Sequence, residues 1–187
     1  MTPCKSDWTA LACYPTTLTD AVRGINVCLE RDSSDHLTFR YVLRADMLQV
    51  RVPPARLPAR TDDLWKHTCF EAFIASAAAD GGYYELNFSP STEWAIYSFE
   101  GYRKGMSPAE VTAPPGLAVR RFDDRLELDA TLDLADLKAV RAARTLKLAV
   151  TAVVEDDGGT LSYWALKHAP GKPDFHHPDG FVLELPQ

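Results

Sequence analysis

The chain has 187 residues, 46% of them hydrophobic and 25% charged, with a formal net charge of -6. That length supports one domain with a sizeable core. The acidic balance, with no Lys/Arg run interleaved with aromatics, argues against a nucleic-acid partner, and no apolar run is long enough to span a membrane.

In chain order, residues 1–20 read as an N-terminal extension to a single domain covering residues 1–187. The start, Met1-Thr2-Pro3-Cys4-Lys5-Ser6-Asp7, lacks a charged stretch followed by an apolar one. No signal peptide is expected, and the expected location is the cytoplasm. Cys4, Cys13, Cys28 and Cys69 are widely spaced, with no Cys-x-x-Cys. Reduced packing thiols are expected, with a Cys4–Cys13 bridge as the alternative in an exported form.

His36–Ala45 alternates with period two: Leu37, Phe39, Tyr41 and Leu43 share one face, and Thr38, Arg40, Val42 and Arg44 the other. Val52–Pro58 is a proline-rich surface excursion. Thr61-Asp62-Asp63 then turns the chain into a strand-like segment, Leu64–Ile74. Tyr83–Ser89, Trp94–Phe99 and Leu126–Leu132 also read as half-buried strands. Asn87-Phe88-Ser89 matches a glycosylation sequon inside one of them and is read as chance. Asp123-Asp124 suits a hairpin turn between Leu117–Phe122 and Arg125–Leu132. Leu134–Arg144 is the one predicted helix, with Asp133 as its cap and Leu134, Leu137 and Val140 at helical spacing. Thr145–Glu155 has the continuous apolar character of a central strand. Asp156-Asp157-Gly158-Gly159 joins it to Thr160–Leu166, and Lys167–Gly180 is a second proline-rich excursion. About ten strands with one short helix predict an all-β antiparallel sandwich.

Trp65 and Glu71 carry the functional signal. A carboxylate is rarely buried without a partner, yet Glu71 stands among Phe70, Ala72, Phe73 and Ile74. A salt bridge to Arg40, Arg44 or Arg103 is one explanation. A flat aromatic beside an acceptor carboxylate, holding a polar small molecule, is the other. Glu85 and Asn87 leave the apolar face of their own strand, so Glu71, Glu85 and Asn87 are expected to line one wall. Two such carboxylates also suit a glycosidase pair, although no catalytic motif surrounds either. Trp94 reads as core. Arg103 sits at a strand-to-loop corner, where its fork suits polar contacts. His168, Asp174 and His176 have ligand types that fit a metal, but no helix-borne spacing supports one, and a stiffened polar loop is the preferred reading.

Three blocks then carry a family resemblance: Leu64–Ile74; Tyr84–Pro90 through Trp94–Tyr97 to Tyr102–Met106; and Tyr163–His168 with Pro173–His176. Together they resemble bacterial proteins with a DOMON-like fold, related to family-9 carbohydrate-binding modules, over the chain from the neighbourhood of Asp20 onward. The resemblance implies a β-sandwich that binds sugars or haem on one face. It implies stacking by Trp65 and by a second Trp near the chain end, matched by Trp164. It implies hydrogen bonding by Glu71, with Arg103 and Asn87 filling an Arg and an amide role. The chain departs from the pattern at Lys66-His67, where acidic residues are common. For the haem alternative, Met47 or Met106 with His168 would be the axial pair. The resulting expectation is a non-catalytic module for a small sugar-like ligand, with no resident cofactor or metal. Trp65 and Trp164 stack, Glu71, Glu85, Asn87 and Arg103 hydrogen-bond, and His168 with the Lys167–Gly180 loop forms the rim. A haem or metal redox module and a Glu71/Glu85 glycoside-processing enzyme are the alternatives.

Overall fold

The computed structural model describes residues 7–77, 81–141 and 143–186. The strands among them are β1 (Thr9–Cys13), β2 (Val22–Arg31), β3 (His36–Ala45), β4 (Cys69–Ser76), β5 (Tyr83–Phe88), β6 (Trp94–Phe99), β7 (Ser107–Pro108), β8 (Gly116–Arg121), β9 (Arg125–Asp133), β10 (Thr145–Glu155), β11 (Leu161–Ala165) and β12 (Leu183–Pro186). Every pairing is antiparallel, and the strands follow one curled path, β7-β6-β5-β4-β10-β11-β1-β2-β3-β9-β8, with β12 against β10.

The path folds on itself at β1. Residues Thr9, Ala10 and Leu11 pair with β2, whereas Ala12 and Cys13 pair with β11. The segment read as an N-terminal extension therefore supplies the corner strand of the sandwich. One sheet is β8-β9-β3-β2-β1, and the other is β1-β11-β10-β4-β5-β6-β7.

The core between the sheets follows from period-two alternation. Leu37, Phe39, Tyr41 and Leu43 face it from β3, and Phe70, Ala72 and Ile74 face it from β4, all fully buried. The Tyr41 hydroxyl crosses the core and donates to the Glu71 carbonyl at 2.9 Å. The second sheet is also covered on its outer side. Cys69, Phe73, Tyr83, Tyr97 and Phe99 form a separate apolar cluster there, with Trp65, Phe175 and Phe181 packed against it. A strand buried on both faces reads as continuously apolar, which is why β4 and β10 lack clean alternation.

The predicted helix over Leu134–Arg144 is not an α-helix. A single 3-10 turn, Leu134–Asp136, is followed by turns. Asp133 does cap it, accepting the Ala135 N–H at 2.8 Å, and Leu134, Leu137 and Val140 are buried. Short i to i+3 turns already place those three anchors, so nothing offsets the cost of nucleating a longer helix between two strands. Among the described residues no helix is long and apolar enough to cross a membrane. Cys13 and Cys69 are free thiols, whereas Cys28 is disulfide-bonded rather than reduced as expected. Cys4 lies outside the described residues, and the free Cys13 thiol takes no part in the considered Cys4–Cys13 bridge. Asn87 is fully buried, which agrees with reading its sequon as chance.

Candidate functional site

The outer face of the second sheet carries the site. Glu71 on β4 lies directly opposite Asn87 on β5 and Thr151 on β10, and Phe73 lies opposite Glu85. This register collects Glu71, Glu85, Asn87 and Thr151 at the sheet centre, all buried. Asn87 donates its amide to Glu85 Oε1 at 2.9 Å, so it supports the floor from behind. A cavity of about 440 Å³ opens above, floored by Glu71 and Glu85 and walled by Trp65, Phe99, Tyr163 and Phe175. Arg103 and His176 stand at its edge.

Glu71 is 2% exposed, and its Oε1 has no hydrogen-bond partner among the described residues. Burial, then the Glu85 carboxylate, push its pKa well above the usual carboxylate range, while the Thr151 hydroxyl pulls the other way. Burial also raises Glu85, opposed by the Asn87 hydrogen bond and by Arg103. Among the described residues no salt bridge joins Glu71 to Arg40, Arg44 or Arg103. Arg40 instead pairs with Glu30 at 3.0 Å and Arg103 with Asp174 at 2.7 Å.

Trp65 sits in a 3-10 turn, Leu64–Lys66, entered through Asp63 in the left-handed region at φ 64°. Leu64 anchors the turn by burial. Trp65 meets Tyr97 edge-on at 6.0 Å, and Tyr97 donates to Asp62. Lys66 and His67 are both engaged. Lys66 pairs with Asp63 at 2.7 Å, and His67 Nδ1 meets Glu155 Oε2 at 2.7 Å. Arg51 completes that second cluster on Glu155 at 2.6 Å, in a neighbouring opening.

The 167–180 loop closes the cavity through a polar latch. Asp174 accepts from Arg103 at 2.7 Å and from the Tyr102 hydroxyl. His176 Nδ1 shares a hydrogen bond with the Tyr83 hydroxyl at 2.8 Å, and its ring packs edge-on to Phe73 and Phe99. Burial, then nearby Arg103, lower the His176 pKa to about 4, so the imidazole is neutral at pH 7. Phe175 packs on Tyr163 at 5.9 Å.

The structure therefore brings Trp65, Glu71, Glu85 and Arg103 to one cavity, with Asn87 behind them. It does not bring Trp164 there. Trp164 is 7% exposed, belongs to the core between the sheets and donates its indole N–H to Ser162. His168 is also off the cavity lining, bonded through Nε2 to the Ala12 carbonyl and ring-packed on Tyr14. Met47 packs against the core, whereas Met106 lines the cavity. Among the described residues no group of three or more His, Cys, Asp or Glu is placed to hold a metal. Sequence reasoning missed Tyr163, Phe175 and the placement of His176. The Tyr163 signal was present: Leu161 and Tyr163 share one face of a period-two strand, Ser162 and Trp164 the other.

Fold and site together define a β-sandwich with an aromatic-walled, carboxyl-floored cavity on one sheet face. No protein-family model matches the sequence, and no curated protein matches it. In structure the chain is similar to a candidate carbohydrate-binding protein from Bacteroides uniformis, with TM-score 0.72 at 14% identity, over 94% of this chain and 84% of that one. It is also similar to a family-9 carbohydrate-binding module from Caldicellulosiruptor kristjanssonii in complex with glucose, with TM-score 0.52 at 10% identity, over 89% and 76%. The fold is thus that of carbohydrate-binding modules.

Proposed function

We propose that the protein is a non-catalytic binding module whose outer-sheet cavity holds a saccharide or sugar derivative. The observation that carries this reading is the buried Glu71 carboxyl, whose Oε1 has no hydrogen-bond partner among the described residues, on the floor of an aromatic-walled cavity. A buried polar group without a partner is costly, and vicinal hydroxyls supply the missing hydrogen bonds. The C–H faces of a pyranose suit aromatic walls, here Trp65, Tyr163 and Phe175. The glucose held by one structural neighbour supports the same class of ligand. The predicted dissociation constant is on the order of micromolar to millimolar, after the cost of immobilising ligand and side chains.

A thermal-shift screen of mono- and oligosaccharides at millimolar dose tests the reading, repeated on Trp65→Ala and Glu71→Ala. A saccharide that raises the wild-type Tm and loses its effect in both variants is the expected result. No saccharide hit, or hits indifferent to both substitutions, would overturn it.

A further inference from the structure

We infer that the saccharide bound here carries a protonated amine, with its ammonium group seated between Glu71 and Glu85. The inference rests on the saccharide-binding reading and narrows its ligand class. Among the described residues the cavity floor has acceptors in surplus and no free cation. Glu71 Oε1 is unpartnered, and Glu85 Oε1 already accepts from Asn87 while Oε2 lies 3.7 Å from His176 Nε2. The two cations that reach the cavity are committed elsewhere, Arg103 to Asp174 and Lys66 to Asp63.

A neutral diol would satisfy hydrogen bonding on this floor but leave burial and the nearby Glu85 carboxyl holding a proton on Glu71. An ammonium group answers both needs, donating to each carboxyl and supplying the opposite charge. The walls favour the same charge, because the faces of Trp65, Phe99, Tyr163 and Phe175 attract cations. Anionic sugars, such as uronic acids or sugar phosphates, meet their own sign at the carboxyl floor and the aromatic walls.

The groups facing Glu71 are Glu85 from β5, Cys69 from its own strand and the Tyr41 hydroxyl from β3, with Arg103, His176 and Lys66 at the cavity edge. Empty, the Glu71 carboxyl holds its proton above the usual carboxylate range. Seating an ammonium beside it favours the carboxylate, so binding releases a proton to solvent.

Calorimetry at about pH 6, where such amines are charged, tests this with glucosamine, galactosamine and mannosamine against their parent hexoses and N-acetyl forms. The expected result is an amino sugar bound about tenfold or more tightly than its parent and its N-acetyl form. Net proton release should appear as a heat that varies with buffer ionisation enthalpy. In Glu71→Gln the advantage of the amino sugar over its parent should shrink, and the proton release should fall. Equal or tighter binding of the parent or N-acetyl form, or binding without proton release, would overturn the amine and leave the saccharide reading standing. Absence of binding by any sugar would overturn both. If Glu71→Gln does not fold, the wild-type buffer comparison still decides.

Discussion

Trp164 lies opposite Ala152 across the β10–β11 ladder, and Ala152 lies opposite Phe70 on β4. All three side chains therefore point into the core. Their neighbours Tyr163, Val153 and Cys69 form the matching row on the outer face. Trp164→Ala is expected to cost about 3–5 kcal/mol, as for other buried large-to-small changes. Tyr163→Ala should cost less, because Tyr163 is half-buried, yet weaken ligand binding more than any surface change. Denaturant unfolding and ligand titration of both variants check this. A Trp164→Ala variant of near wild-type stability would contradict the placement.

Stability should respond to pH in two opposed windows. Glu71 and Glu85 have raised folded pKa values, so the folded state holds their protons more tightly than the unfolded chain does. Their contribution is full below the ordinary carboxylate pKa and is lost as pH rises through the folded values. His176 behaves oppositely. Its pKa is lowered to about 4, so its contribution is present above the ordinary value of 6.5 and is lost as pH falls. The His176 effect is on the order of 3 kcal/mol when complete. Unfolding measured from pH 4 to 8 should show a weaker loss at high pH in Glu71→Gln and a weaker loss at low pH in His176→Asn.

Arg103 has a left-handed backbone at φ 54° and holds Asp174 across the cavity mouth. Arg103→Asn keeps a residue that tolerates this conformation but removes the guanidinium. Because the Arg103 side chain is half-exposed, the expected stability loss is at most about 1 kcal/mol. Amide hydrogen exchange over residues 173–177 should accelerate, and saccharide affinity should fall. Unchanged exchange there would mean that the ion pair does not hold the loop.

Cys69 is fully buried beneath the cavity, and burial, then Glu71, push its thiol pKa well up. Cys13 is only half-buried, and its thiol is raised mainly by burial. Native-state alkylation followed by mass spectrometry should label Cys13 first. Cys69 should react only at the rate of global opening.

The strands were legible because local alternation is a local property. His36–Ala45 and Thr145–Glu155 could be bounded from the chain alone, and Asp123-Asp124 identified as a turn. Trp65, Glu71, Glu85 and Arg103 were legible as polar or flat residues out of place in their segments. What the sequence could not decide was pairing across strands. Trp164 and Tyr163 are neighbours in the chain, and only the β10–β11 register sends one to the core and the other to the cavity. His168 and His176 share one loop, and only the packing of that loop against Tyr83 and Phe99 places His176 at the site. The Leu134–Arg144 pattern marked which side chains are buried, but tertiary packing let short turns bury them without an α-helix. Register is long-range information: a shift of one residue inverts every face, and it is fixed only when the sheets close over a common core.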